Sequence, residues 1–438
     1  MNSSGLSFNA LPPIDLPFRF FISAPLFVLL SASLIFYSGE SLWLSRWQPS
    51  MLALTHGFTL GFITMVMMGA LLQLLPVIGG IGIAKPRLIA SSCHALLVVG
   101  TLSLIANFLW PSTMLFFLSV FLLSVCFLLY IGAVAWVLVK KLGQGSAITG
   151  LRLSIFSLFL VVIIGLVLLS RTQLWFLGDD FSLLVVSKQL TNIHAILGLF
   201  GWAGLLIIAV SFQVIPMFHV APSFPSNITC SIPVAIFTCL VVSYFQERIA
   251  LNLLVFLHAI FALSLLWVIK KRKRKIPDTS IQYWQLSALS LLVLTVLYYI
   301  PNDYLSKAIL QRKTLLLISL FIYFYLFSVI QGMLLKILPF LSYTHLQQRC
   351  LTDFSAMKYI PHMHEFLNKK HGQWLFYLHV FSGGSMLITI MKPSTFWLFS
   401  ILLFIEFLWL LFIMINTVSL YFTVDKRLNV LLPINPNR

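Results

Sequence analysis

The chain has 438 residues, of which 60% are hydrophobic and only 9% are charged, and its mean hydropathy is +1.00. Soluble proteins have about 45–50% apolar and about 25% charged residues, so a soluble enzyme, a nucleic-acid-binding protein and a secreted disulfide scaffold are excluded. The apolar runs continue for about 20 residues without alternation, which indicates membrane-spanning helices and excludes a β-barrel. The net charge of +17 is therefore expected to face lipid headgroups, with the lipid bilayer as partner and no nucleic acid.

Apolar windows predict an all-α polytopic membrane protein with about twelve transmembrane helices. Basic residues orient these helices: the segments on the side of the N-terminus hold 19 Lys and Arg, and the opposite segments hold 8. This asymmetry predicts a multi-pass membrane protein with both termini in the cytoplasm. The predicted spans lie near 17–39, 51–80, 87–110, 112–139, 149–170, 190–218, 227–245, 249–269, 281–300, 314–340, 373–391 and 394–417.

Spans two, six and ten share a pattern in which a polar residue stands three positions before a proline. The three sequences are Gln73-Leu-Leu-Pro76, Gln213-Val-Ile-Pro216 and Lys336-Ile-Leu-Pro339. Self-similarity at a regular interval is typical of internal repeats. We therefore predict one membrane domain, 1–438, built from three four-helix repeats with approximate limits 17–139, 149–269 and 281–417.

Two histidines precede this pattern on spans two and six. His56 lies 17 residues before Gln73, and His194 lies 19 residues before Gln213, which places both near the outer surface at about 1.5 Å per residue. Glycines follow each histidine and clear one helix face, so that a flat group or another helix can approach closely. An intramembrane imidazole can bind haem iron, or it can form a hydrogen bond across a small-residue helix interface. Both interpretations stay open.

Other polar residues fall inside apolar spans. His94, His258 and His379, together with Gln73, Gln213 and Lys336, form either a polar layer that binds a solute or a set of satisfied core residues with a snorkelling lysine. Glu406 is the only carboxylate deep in a predicted span, which argues against a proton pump with several relay carboxylates. The five cysteines form no CxxC pair and four of them lie inside apolar runs, so buried free thiols are expected. The histidines and Cys350 of the stretch 341–372 are ligands suited to copper or zinc, although a solvated loop is the preferred interpretation.

Twelve spans, inward termini, a threefold pattern and a histidine near the outer end of span two resemble subunit I of the haem-copper oxidases. The segments 17–25, 55–65, 69–76 and 332–340 are similar to bacterial membrane proteins of this oxidase-like group, and the NnrS family of haem- and copper-containing proteins is a more distant relative. The resemblance implies that the protein lies in the bacterial cytoplasmic membrane, that His56 binds a low-spin b-type haem and that His194 matches, loosely, a copper ligand. Span ten lacks the two histidines that the oxidases carry there, and span seven lacks their histidine pair. Oxygen reduction is therefore not expected.

Three functions follow as hypotheses, and the sequence does not decide whether the protein is an enzyme. The first is a haem-associated protein of respiratory electron transfer, nitric-oxide handling or haem-copper enzyme maturation, with respiratory or oxidase components as partners and His56 and His194 as ligands. The second is a non-redox carrier of a small or anionic solute that uses Gln73, Gln213 and Lys336. The third is a structural or assembly partner without a cofactor.

Overall fold

A computed structural model describes residues 12–79, 82–140, 145–175, 181–351 and 353–431. Its described residues contain helices and turns but no strand. We number the long helices in chain order. They are α1 Asp15–Trp43, α2 Pro49–Pro76, α3 Pro86–Leu109, α4 Thr113–Lys140, α5 Ala147–Arg171, α6 Lys188–His219, α7 Ser226–Val242, α8 Glu247–Lys270, α9 Thr279–Tyr299, α10 Lys307–Arg349, α11 Lys369–Met391 and α12 Pro393–Leu431.

Eleven of these helices, all except α7, are long and apolar enough to cross a membrane, while α7 is a shorter apolar helix. A helix needs about 20 apolar residues to cross the hydrocarbon core, because each residue adds about 1.5 Å. The predicted all-α polytopic membrane fold is therefore confirmed. The predicted spans agree with these helices to within a few residues in most cases; for example, span three was predicted at 87–110 and α3 covers Pro86–Leu109.

Helices α10 and α12 extend further than their apolar windows predicted. Span ten was predicted to end at 340 and span twelve at 417, yet α10 continues to Arg349 and α12 to Leu431. Contacts between the two extensions explain the difference: Arg349 forms an ion pair with Asp425, and the Tyr421 hydroxyl lies 2.8 Å from His345 Nδ1. Helical turns beyond the apolar window are thus stabilised by polar contacts that a hydropathy window does not register.

Helices α2, α6 and α10 share a feature that the sequence did not predict. Each contains an eight-residue π-helical segment: Gly57–Thr64, Leu197–Gly204 and Leu320–Phe327. Each segment ends 12 residues before the proline of its helix, at positions 76, 216 and 339. π-helical turns are rare and occur frequently at functional sites. The shared register agrees with the predicted threefold pattern, and the repeat limits themselves stay a prediction.

The described chain divides into two compact units. The first unit holds Leu71–Ile276 and Gln285–Phe327 together with Pro12. Within this unit, α3 and α4 pack closely: Cys126 Sγ lies 3.3 Å from the carbonyl oxygen of Cys93, and both thiols are free and buried. The expectation of buried free thiols is confirmed for these two residues.

The second unit holds Pro13–Ala70, Pro277–Trp284 and Ser328–Arg438. In this unit α1 packs against α2, and α11 packs against α12. Phe62 of α2 and Phe407 of α12 meet edge to face with ring centroids 5.0 Å apart, and the Ser400 hydroxyl of α12 donates to the carbonyl of Ala32 on α1. These contacts make α12 a central helix of the unit, which places its only buried carboxylate inside the helix bundle.

Candidate functional site

The second unit contains a fully buried histidine–glutamate pair. His379 of α11 and Glu406 of α12 both have 0% exposed side chains, and His379 Nδ1 lies 2.7 Å from Glu406 Oε1. Two titratable side chains rarely lie in such a place, because removing charge from water is costly unless the groups are paired and hydrogen-bonded. Inside a membrane protein, such residues mark a functional site by default.

Three further buried side chains extend the pair into a network. The amide of Gln331 on α10 donates to Glu406 Oε1 at 2.6 Å, and the Tyr283 hydroxyl of α9 donates to Gln331 Oε1 at 3.0 Å. Ser328 Oγ lies 2.8 Å from His379 Nε2. All five side chains lie fully inside the unit. We call Tyr283, Ser328, Gln331, His379 and Glu406 the buried network.

The local sequence of α10 positions its part of the network. Ser328 is the first residue after the π-helical segment, and Gln331 follows three positions later on the same helix face. Gly332 allows α9 to approach at this level, since a Cβ added there would lie 2.6 Å from the Cβ of Tyr283. A larger residue at 332 would therefore separate Tyr283 from Gln331.

Hydrogen-bond geometry limits the protonation states of the network. Glu406 Oε1 faces both the Gln331 amide and His379 Nδ1, so this oxygen acts as an acceptor. Two states keep the pair neutral overall. In one, an ionised Glu406 faces a doubly protonated His379 that donates to Ser328; in the other, Glu406 carries a proton on Oε2 and a neutral His379 accepts from Ser328. Loss of one proton from either state leaves an unpaired buried charge, which is costly. In both states the pair carries one proton more than a neutral histidine beside an ionised carboxylate.

The order Ser328, His379, Glu406 also resembles a hydrolytic triad, in which a carboxylate orients a histidine that activates a serine. A substrate must contact the serine oxygen for such chemistry. Ser328 has 0% exposure, so the static structure gives a substrate no surface of Ser328 to contact. The arrangement is suited to holding a proton and not to acyl transfer.

An ion pair lies further along the same two helices. Lys336 of α10 pairs with Asp278, which precedes α9, and their side chains are 17% and 23% exposed. Lys336 comes five residues after Gln331, and Asp278 comes five residues before Tyr283. Five residues correspond to about 7.5 Å along a helix. The Lys336 side chain, predicted either to bind an anion or to snorkel, is thus paired with a carboxylate in a partly exposed position.

His56, the predicted haem ligand, is half-buried in the second unit, and its Nδ1 lies 2.8 Å from the Leu52 carbonyl oxygen. The glycine face beside it contacts α1. A Cβ at Gly61 would lie 2.4 Å from Phe27, and one at Gly69 would lie 2.7 Å from Phe20. Of the two occupants predicted for this face, the structure shows a neighbouring helix. These residues do not form a cradle for a haem on that face, and a b-type haem at His56 stays a prediction.

His194 belongs to the first unit and lies against α5. Its Nδ1 is 3.1 Å from the Val161 carbonyl oxygen, and a Cβ at Gly165 would lie 3.0 Å from its ring. The imidazole thus packs at a small-residue helix interface, as the structural interpretation predicts. His56 and His194 belong to different units, and a haem bound by both stays a prediction.

The remaining predicted polar residues have separate environments. In the first unit, Gln73 is buried and its amide donates to the Pro12 carbonyl at 3.4 Å, whereas Gln213 is exposed. His94 is half-buried, and His258 is buried at 1% exposure. Gln73 and Gln213 therefore do not share one buried layer within this unit.

The histidines of the stretch 341–372 are dispersed. His345 contacts Tyr421, while His362 and His364 are exposed. Burial raises the pKa of the Cys350 thiol, which disfavours the thiolate that binds metals. Among the described residues, no three His, Cys, Asp or Glu side chains are grouped to hold a metal ion. The described part of this stretch thus brings no copper or zinc ligands together.

Sequence reasoning identified His379 and Glu406 separately but missed their pairing and the other three members of the network. The sequence held one signal for this network: Gln331 is the single amide side chain within span ten, five residues before Lys336. The rotation of each helix about its axis decides which polar residues meet, and hydropathy windows do not report that rotation.

No known protein family matches this sequence, and a comparison with curated proteins gives no significant match. The class of the protein is therefore defined by its fold and its site alone. The chain is an all-α, multi-pass integral membrane protein. It contains a buried, hydrogen-bonded histidine–glutamate pair in one of its two units.

Proposed function

We propose that this chain is a proton-linked membrane protein and that His379 and Glu406 hold the proton. The observation that carries the proposal is the 2.7 Å contact between two fully buried titratable groups, supported on both sides by Ser328 and Gln331. A purely structural role explains this arrangement poorly, since apolar residues of similar volume often stabilise a buried site equally well or better. One such pair does not form the multi-carboxylate relay of a pump, so the proton is coupled to another process.

Two of the three functions predicted from the sequence can supply the process to which the proton is coupled. Respiratory electron transfer and solute carriage both couple to proton movement, whereas a cofactor-free assembly partner needs no exchangeable proton. The partly exposed Lys336–Asp278 pair, five residues along the same helices, supports proton access from its end of α10. We further propose that both termini lie in the cytoplasm, from the distribution of basic residues, and that the membrane is the bacterial cytoplasmic membrane, from the resemblance to the bacterial oxidase-like group.

Chemical labelling tests proton uptake at Glu406. A hydrophobic carbodiimide reacts with protonated carboxyl groups and reaches those within a membrane. Purified wild-type protein should become labelled at Glu406, identified by peptide mass spectrometry, with a rate that rises as the pH falls. Glu365→Gln, which changes an exposed glutamate of the same unit, serves as the matched control and should leave this labelling intact. A Glu406 that is unlabelled at every pH, or labelled independently of pH, contradicts the proposal.

A second candidate is the haem-associated function, in which His56 and His194 bind a b-type haem. One observation favours it: both histidines hold Nδ1 against a backbone carbonyl, the arrangement that orients ligating imidazoles and assigns Nε2 to the metal. Bound haem would supply one-electron chemistry, and these residues would hold it. A reducible Soret band in the purified protein that is lost in His56→Ala supports this candidate, and a colourless wild-type protein contradicts it.

A further inference from the structure

Several buried polar atoms of the first unit have no hydrogen-bond partner among the described residues, and two of these atoms belong to neighbouring rings: Nε2 of His258 on α8 and the hydroxyl of Tyr325 on α10. His258 is 1% exposed and Tyr325 is 0% exposed. Buried polar groups are hydrogen-bonded in the great majority of cases, and each exception calls for an explanation. Because the two unpartnered atoms belong to rings in contact with each other, one explanation that accounts for both is favoured.

The tautomer of His258 follows from its other nitrogen. Nδ1 lies 2.8 Å from the Leu254 carbonyl oxygen, and a carbonyl only accepts hydrogen bonds, so Nδ1 carries the hydrogen. Nε2 of the neutral ring is then an acceptor. The Tyr325 hydroxyl both donates and accepts, so the two atoms together offer an acceptor and a donor.

The two rings are close neighbours. Their centroids are 6.3 Å apart with an interplanar angle of 82°, so one small group can contact both rings. The backbone of α6 also approaches Nε2, because a Cβ added at Gly204 would lie 3.0 Å from it.

The surroundings are uncharged and aromatic. Phe200 meets the His258 ring edge to face with centroids 5.0 Å apart, and Phe321 lies 5.6 Å away. These two phenylalanines, Gly204 and Tyr325 all belong to the π-helical segments of α6 and α10. A neutral ligand is therefore favoured, since none of these neighbours carries a charge to balance an ion.

We propose that His258 and Tyr325 bind one neutral hydroxyl oxygen, which donates to Nε2 and accepts from the tyrosine. The oxygen comes either from a water molecule or from the hydroxyl group of a small lipid-soluble molecule such as a hydroquinone. The two π-helical segments form the walls of this site. The inference is independent of the His379–Glu406 proposal, because the two sets of residues belong to different units.

The direction in which Tyr325→Phe changes the Tm tests whether an oxygen atom is bound to the Tyr325 hydroxyl. If the Tyr325 hydroxyl is hydrogen-bonded to it, Tyr325→Phe lowers the Tm of the purified full-length protein by about 1–2 °C. If the hydroxyl is unsatisfied, the same change raises the Tm or leaves it constant, because removing an unpaired buried hydroxyl is favourable. The Tm effects of Tyr325→Phe and His258→Leu should also be non-additive. Tyr323→Phe, on the same π-helical segment and equally buried, is the control and should be additive with His258→Leu.

Two further measurements identify the source of the bound oxygen. An infrared O–H stretching band that shifts in H₂¹⁸O identifies water. Tetramethylhydroquinone that raises the Tm saturably in the wild type and in Tyr323→Phe, but not in Tyr325→Phe, identifies a lipid-soluble hydroxyl. ¹⁵N NMR of His258 should show Nε2 accepting a hydrogen bond in either case. An Nε2 without a hydrogen bond, together with additive variants and an increased Tm in Tyr325→Phe, overturns the proposal.

Discussion

His379 Nδ1 lies 2.7 Å from Glu406 Oε1, and neither side chain has any exposed surface. This contact joins α11 to α12. Gln331 adds α10 to the same carboxylate, so three helices meet at one oxygen atom. Both the stability of the second unit and the proposed proton-linked function depend on this carboxylate.

Loss of one member of the pair should be more damaging than loss of both. Glu406→Leu leaves a buried histidine without its partner, and we expect a loss of about 3–5 kcal/mol in the free energy of unfolding. The double variant His379→Leu/Glu406→Leu removes both titratable groups and should recover most of that loss. Denaturation of the detergent-solubilised protein measures both values. A double variant that is less stable than either single variant would show that the pair is a net stabilising ion pair.

The Lys336–Asp278 pair should contribute little and depend on salt. Its side chains are partly exposed, so we expect a coupling energy of about 0.2–1 kcal/mol from a double-mutant cycle of Lys336→Met and Asp278→Asn. The coupling should fall as the ionic strength rises, because salt screens exposed charges. A coupling of several kcal/mol that is insensitive to salt would mean that the pair is buried more deeply than the structure shows.

Two glycine-to-alanine substitutions should change the free energy of unfolding in opposite directions. At Gly61 an added Cβ meets Phe27 at 2.4 Å, while at Gly198 it meets nothing within 4 Å. Gly61→Ala should therefore destabilise the protein by about 1–3 kcal/mol through overpacking. Gly198→Ala should stabilise it by up to about 1 kcal/mol through helix propensity. Thermal unfolding of the two variants measures the difference. If Gly61→Ala is neutral, α1 does not pack on this glycine face, and the face is available to a flat group such as a haem.

The predicted orientation is tested with reporters. A reporter fused after Arg438 and another inserted between Lys271 and Lys275 should both report the cytoplasm, because basic residues accumulate in cytoplasmic segments. An insertion near Arg46, in a segment assigned to the opposite side, is the control and should report the periplasm. A periplasmic signal from either of the first two fusions inverts the assignment.

Much of the fold could be predicted from the sequence, because the bilayer fixes the length of an apolar helix. The ends of α10 and α12 could not, since Arg349–Asp425 contacts stabilise turns beyond the apolar window. The π-helical segments also escaped prediction: Gly57 and Gly61 occur in the first segment, but the third, Leu320–Phe327, contains no glycine. At the site, His379 and Glu406 were identified as polar residues of separate spans. Their contact depends on helix rotation, which no spacing along the chain specifies.

Infrared difference spectroscopy tests the central claim, that the buried pair holds an exchangeable proton, most directly. Spectra of the purified wild-type protein at acid and alkaline pH should differ by a protonated-carboxyl stretching band. This band should be absent from Glu406→Gln, shifted in Gln331→Leu through the lost hydrogen bond, and unchanged in Glu365→Gln. A difference spectrum identical in the wild type and in Glu406→Gln would show that Glu406 does not exchange a proton, and would contradict the account.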